Sequence, residues 1–281
     1  MSLPLDTPIS SKWNKQRRMP LSRYMSGVVV MKLGGGLITN KDLLCSVNLD
    51  VIDRIASVIS KVNKRLIIVH GAGSFGHLKA KEFELAKGRI KGINQDDAIK
   101  DVQSDMLELN SHVMDALERN GISAEAFPPH TWASGLGVDF SGNLPYSEGV
   151  TVVFGDVVLD PNQGFGILSG DDLVVRYALE TPDVEHLIFA VAGVDGLLRV
   201  PPHIAGPDDL IEEWSPDVEY IGEHRSSIDV TGGIGLKASR GSIVAEAGIK
   251  VSIISGEHPE RIFNAIEGKS TIGTSIVSRN T

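Results

Sequence analysis

Two short apolar runs, each ending in a cluster of glycines, constrain this chain more than any other feature. Gly27–Leu33 reads GVVVMKL and runs into Gly34-Gly35-Gly36. Leu66–His70 reads LIIVH and runs into Gly71-Ala72-Gly73-Ser74-Phe75-Gly76. Continuous β-branched runs without polar alternation are the pattern of strands buried on both faces. Such strands need helices to cover them. The sequence between them supplies one: Ile52, Ile55, Ala56, Ile59 and Val62 recur at helical spacing over 50–62, behind Asp50 as a candidate cap.

The alternation continues along the chain. A long helix is predicted over 96–119, with Ile99, Val102, Met106, Leu109, Val113 and Leu117 on one stripe, followed by a strand near 124–127. Residues 151–160 place two β runs around Gly155-Asp156, which reads as a hairpin or as a strand with a functional break. A helix to Glu180, a strand at 186–191, a helix at 236–247, a strand at 250–254 and a helix at 259–266 complete the series. Strands alternating with helices predict an α/β fold with a mainly parallel sheet covered on both faces. No repeat or linker divides residues 27–281, which read as a single domain.

Composition narrows the function classes. With 27 basic and 36 acidic residues the formal charge is −9, which argues against a broad nucleic-acid surface. Residues 1–26 differ: five basic residues face Asp6 alone, a net +4 that leaves −13 on the rest. That stretch has no apolar core before a small-residue cleavage site, as a secretory signal would have, and reads as a basic N-terminal extension; its composition is also that of an organellar transit peptide. A single cysteine, Cys45, allows no intrachain disulfide and fits a reducing compartment. No apolar run approaches the ~18 residues that span a bilayer, so no membrane partner is expected. The expectation is a cytoplasmic protein.

In α/β sheets, ligands sit beyond the carboxyl ends of the strands. Residues 71–76 satisfy G-x-G-x-x-G. A dinucleotide fingerprint also needs a second strand ending in an acid about 20 residues on, and here the next strand is predicted about 50 residues downstream. No Walker A pattern occurs. Two glycine loops, each flanked by Lys or His, instead predict an anion site built from backbone N–H groups and helix N-termini. Lys32 agrees: an ammonium in an apolar strand needs a partner or a bound anion. Lys41 by itself reads as a solvated lysine. Residues 229–237 (DVTGGIGLK) offer a third loop and a cation entering a helix. In 167–172 (ILSGDD), Asp171 and Asp172 read as first-turn acids or as groups that orient lysines or magnesium.

Taken in order, KLGGGLITNK, HGAGSFGH, GDVVLD, GFGILSGDDLV and DVTGGIGLK resemble the isopentenyl phosphate kinases of the amino-acid-kinase superfamily, from about residue 28 to 276. The resemblance implies an open three-layer αβα sandwich, usually a homodimer, with an acceptor-binding half (about 27–150) and a nucleotide-binding half (151–281). It implies phosphoryl transfer from ATP, with Mg2+, to isopentenyl phosphate. By the same resemblance Lys32 and the amides of Gly34, Gly35 and Gly36 contact the donor phosphates, and Lys41 stabilises the transition state. Gly71, Ala72 and Gly73 separate acceptor from donor. His77 bonds the acceptor phosphate. Ser169, Gly170 and Asp171 border the acceptor and orient the lysines, and Gly232, Gly233 and Lys237 serve the nucleotide. Gly193 and Asp195 fall in a segment that contacts the nucleotide. Phe83 and Ile90 are candidates for the isoprenoid pocket. None of these is a metal ligand.

The chain departs from the family at Ala192-Gly193-Val194-Asp195-Gly196, where a Thr-Asp-Val-Asp-Gly pattern is usual, and at Gly36, where Ser or Ala is common. Two alternatives stay open: a phosphonate kinase of the fosfomycin-resistance type, and a catalytically weak ligand-sensing relative.

Overall fold

The computed structural model describes residues 27–40, 43–218 and 233–279. The basic extension 1–26, Lys41 and Gly232 lie outside the described residues.

In chain order the elements are β1 (Val28–Leu33), α1 (Gly35–Ile38), α2 (Leu49–Ile59), β2 (Arg65–His70), α3 (Gly73–Glu82), α4 (Asp96–Arg119), β3 (Ala124–Ala126), β4 (Val150–Phe154), β5 (Asp156–Asp160), β6 (Gly164–Leu168), α5 (Gly170–Glu180), β7 (Val184–Val191), β8 (Glu213–Trp214), α6 (Gly233–Glu246), β9 (Lys250–Ser255), α7 (Pro259–Ile266) and β10 (Thr274–Ile276). Eight strands form one sheet in the order β3-β4-β2-β1-β7-β9-β10-β8. Every neighbouring pair is parallel except β9 with β10.

Side chains alternate across the sheet, so each strand feeds two cores. Val29, Met31 and Leu33 of β1 join a cluster with α1, α2, α3, α4 and α7. Val28 and Val30 join the other, with α5 and α6. That is the three-layer αβα arrangement. β1 lies between β2 and β7, so the order of the strands reverses there. A crevice opens at such a reversal, beyond the carboxyl ends of the strands.

Three local differences from the sequence reading have simple causes. α2 begins at Leu49 behind Asn48, not behind Asp50, because the Asn48 carbonyl already accepts the Ile52 N–H (3.2 Å). Residues 151–160 are not one hairpin. β4 stays in the main sheet, while β5 leaves it at Gly155 and pairs antiparallel with β6. The break is held by Gly155 N–H donating to the His70 carbonyl (3.1 Å). Two glycines in the five residues of β6 had concealed that strand.

Candidate active site

A cavity of about 740 Å3 opens at the carboxyl ends of β1, β2 and β7, within the range of small-molecule sites. Its centre is ionic. Lys32, near the end of β1, is buried and places Nζ 2.8 Å from Asp171 Oδ1. Lys237, on α6, places Nζ 3.3 Å from Asp171 Oδ2. Both lysines line the cavity, and Asp171 sits behind them with its side chain fully buried. Burial alone would raise the Asp171 pKa, but the charges of Lys237 and Lys32 outweigh it and hold the carboxyl below its ordinary value. One carboxylate thus aims two ammonium groups at one space. Asp171 is itself placed by Ser169, the N-cap of α5, whose Oγ accepts its N–H (3.1 Å).

The two glycine loops meet beside this cluster. A Cβ on Gly35 would collide with the Gly73 amide, and one on Gly71 would lie 2.7 Å from Gly35 N, so the loops touch backbone to backbone. Thr39 fastens them: its hydroxyl donates to the Gly35 carbonyl (2.8 Å) and accepts from Ser74 N–H (3.0 Å). Gly73, at φ +51, starts α3 from a conformation few side chains adopt. The first residues of α3, α5 and α6 all line the cavity. Three helix N-termini facing one space make a strongly anion-attracting site.

Of the residues singled out from the sequence, Lys32, Gly34, Gly35, Gly36, Gly71, Ala72, Gly73, His77, Ser169, Gly170, Gly193, Gly233 and Lys237 line this one cavity. Asp195 does not. It is ion-paired to Arg261 of α7, outside the lining. Phe83 and Ile90 are also absent from it. The apolar wall is built by Leu78 and Ala80 of α3, Val102 and Met106 of α4, and Val157 and Ile167 of the β5–β6 hairpin. Val102 and Met106 belong to the predicted α4 stripe, so the signal was present; which part of the stripe faced the cavity depended on packing.

Two features had escaped the sequence reading. Asp156, at the start of β5, lines the cavity with its carboxylate buried. Its Oδ2 takes both the N–H and Nδ1 of His130 (3.1 and 2.6 Å). That hydrogen bond raises the His130 pKa against the opposing effect of burial. Pro201, Pro202 and His203 also line the cavity, together with Gly193 and Val194.

Residues 27–255 match the model of the Amino acid kinase family. The chain is similar to the isopentenyl phosphate kinase of Methanothermobacter thermautotrophicus, 33% identical over 90% of this chain and all of that one. It is also similar to that of Thermoplasma acidophilum, 32% identical over 89% of this chain and all of that one. An X-ray structure of isopentenyl phosphate kinase superposes with a TM-score of 0.74 at 31% identity, covering 89% of this chain and all of that one. UMP kinase from Ureaplasma parvum shares the fold at 17% identity and TM-score 0.57, covering 90% of this chain and 99% of that one. The chain therefore belongs to the amino acid kinase family and, within it, groups with the isopentenyl phosphate kinases.

Proposed function

We propose that the protein transfers the γ-phosphoryl group of ATP to the phosphate of isopentenyl phosphate, giving isopentenyl diphosphate and ADP. The observation that carries this reading is the division of the cavity. Amides, helix N-termini and the Lys32/Lys237 pair form its polar floor, while Leu78, Ala80, Val102 and Met106 wall an apolar arm that shares α3 with His77. The floor suits two polyanions brought into line, and the arm suits a short hydrocarbon.

The chemistry asks for positioning and charge neutralisation. A phosphate monoester, with a second pKa of about 6, is already largely ionised at pH 7, so no general base is required. Lys32 and Lys237 offset charge as it shifts to the bridging oxygen, and Asp171 keeps both ammonium groups aimed. His77 donates to the acceptor phosphate, and Lys41 joins the lysines by its match to the family motif. The Gly34–Gly36 and Gly233 amides take the donor phosphates, with Gly193 beside them. Magnesium adds positive charge when it arrives with the nucleotide. Asp171 is already engaged by two lysines, and among the described residues no group of three or more His, Cys, Asp or Glu gathers for a metal. By the family resemblance the acceptor lies mainly against the 27–150 half and the nucleotide base and sugar against 151–281, with the Gly34–Gly36 amides reaching the donor phosphates between them.

The reading includes a homodimer in the cytoplasm. Among the described residues no helix is long and apolar enough to cross a membrane. Light scattering against the chain mass of 30.2 kDa tests the dimer.

The direct test is ADP release with Mg-ATP and a panel of isopentenyl phosphate, dimethylallyl phosphate, fosfomycin, UMP and no acceptor. Isopentenyl phosphate is expected to give the highest kcat/KM, and His77→Ala and Lys237→Ala each to lose about 10²–10³-fold. Fosfomycin as the best acceptor would make the protein a phosphonate kinase. Acceptor binding without turnover would make it a ligand sensor.

A further inference from the structure

The wall of the cavity assigned above to the nucleotide includes the segment that follows β7. After β7 the chain passes through Ala192, Gly193 and Val194, all lining the cavity, and Gly193 stands at φ +74 with no atom within 4 Å of where a Cβ would be. Nothing packs on the Cβ side of Gly193, so its position is set through its backbone. The two ends of the segment are anchored. Gly34 N–H donates to Ala190 O (2.9 Å) at one end, and Leu197 N–H donates to Thr274 Oγ1 (2.8 Å) at the other.

The middle is held by one short stretch between β9 and α7. Gly256 N–H donates to Val191 O (2.8 Å). Glu257 Oε2 accepts the Gly193 N–H (3.1 Å), and the Arg261 guanidinium pairs with the Asp195 carboxylate. The Glu257 carbonyl is also within 3.5 Å of Arg54 Nη1 on α2. Glu257 therefore holds Gly193 within the wall and Arg261 holds Asp195 just beyond it, and neither Glu257 nor Arg261 lines the cavity. Arg261 is mostly buried on the first turn of a helix whose Ile262, Ala265 and Ile266 are anchored in the core, so its guanidinium starts from a fixed base.

We propose that Glu257 and Arg261 are positioning residues for the nucleotide: through Gly193 and Asp195 they fix the 192–194 wall where family members usually carry Thr and Asp side chains. Resting on the kinase reading above, this reassigns Asp195 from a nucleotide contact to the anchor point of a brace. Loss of the brace lets the wall retreat, which weakens nucleotide binding and leaves the acceptor arm untouched.

The test uses the full chain. Binding of a non-hydrolysable ATP analogue is followed by calorimetry without acceptor, and steady-state KM values are measured for both substrates. Arg261→Ala, Glu257→Ala and Asp195→Asn are each expected to raise the analogue Kd and the KM for ATP about three- to tenfold, with kcat and the acceptor KM within about twofold. Arg261→Lys, which keeps the charge, is expected to recover part of the loss. Arg261→Ala combined with Asp195→Asn should cost no more than either alone, as for two ends of one contact. Unchanged nucleotide binding in the variants overturns the brace even if isopentenyl phosphate is the acceptor. So does a parallel rise in both KM values with a lowered melting temperature, because that is general loosening. A wild-type protein that binds no ATP analogue overturns the kinase reading and the brace together. If the wild type binds the analogue but does not phosphorylate isopentenyl phosphate, only the acceptor assignment fails and the variants still decide the brace.

Discussion

At the scale of single residues, the site turns on one buried carboxylate shared by two lysines. Asp171→Asn keeps the shape but leaves Lys32 and Lys237 without a counter-charge, which in a buried pair costs about 3–5 kcal/mol. The variant should melt lower and lose about 10²–10³-fold in kcat/KM, checked by calorimetry and ADP release. Its native carboxyl titrates below the ordinary range, so its contribution holds above the unfolded pKa and fades only as pH falls through the folded one. The neutral range is unaffected by it. Two buried histidines behave differently. His70 and His186 are each pushed down to about 4, chiefly by burial. Their folded pKa values lie below the unfolded one, so stability is full above pH 6.5 and declines towards pH 4, by about 3 kcal/mol for each. Denaturant melts between pH 7.5 and 4.5 measure this; a flat profile would mean that these rings are not buried neutral. Lys32 was legible because an ammonium in an apolar strand must have a partner. The pairing of Asp195 was not legible because its partner, Arg261, is 66 residues away and no local pattern links them.

At the scale of elements, the site is a convergence of turns. Gly35, Gly71 and Gly73 let two strand–helix turns touch through their backbones. Gly35→Ala therefore cannot be relieved by a rotamer change. It should destabilise by about 1–3 kcal/mol and abolish most turnover, read by melting temperature and ADP release. The buried strands and the α4 stripe were readable because continuous apolar runs and helical periodicity are local signals. The β run of β5 was read but not its partner β6, because a glycine-rich strand in a two-stranded ribbon carries little of either. Short β8 and β10 were missed too: two- and three-residue strands are specified by the sheet they join.

At the scale of the whole molecule, alternating elements foretold a parallel, helix-covered sheet, but the strand order emerged only from the structure. Because the cavity borders both sides of the central seam, ligands bound there favour the folded state alone. An ATP analogue at about 100 times its Kd adds about 2.7 kcal/mol, enough to raise the melting temperature by about 4–5 °C in a chain of this size. Differential scanning fluorimetry checks this, and an unchanged Tm at saturation would mean that the nucleotide does not dock at the seam. The same seam bears on biogenesis. β1 pairs with β2 after a short helical excursion, whereas its other partner, β7, begins at Val184, past α4, β4 and the β5–β6 hairpin. Joining β1 to β7 closes a long loop, a slow and entropically demanding event. Until it happens, one flank of the cleft is an open strand edge, able to recruit other chains. A nascent chain passes through that exposed interval before it can hold nucleotide, so nucleotide capture marks its escape from aggregation.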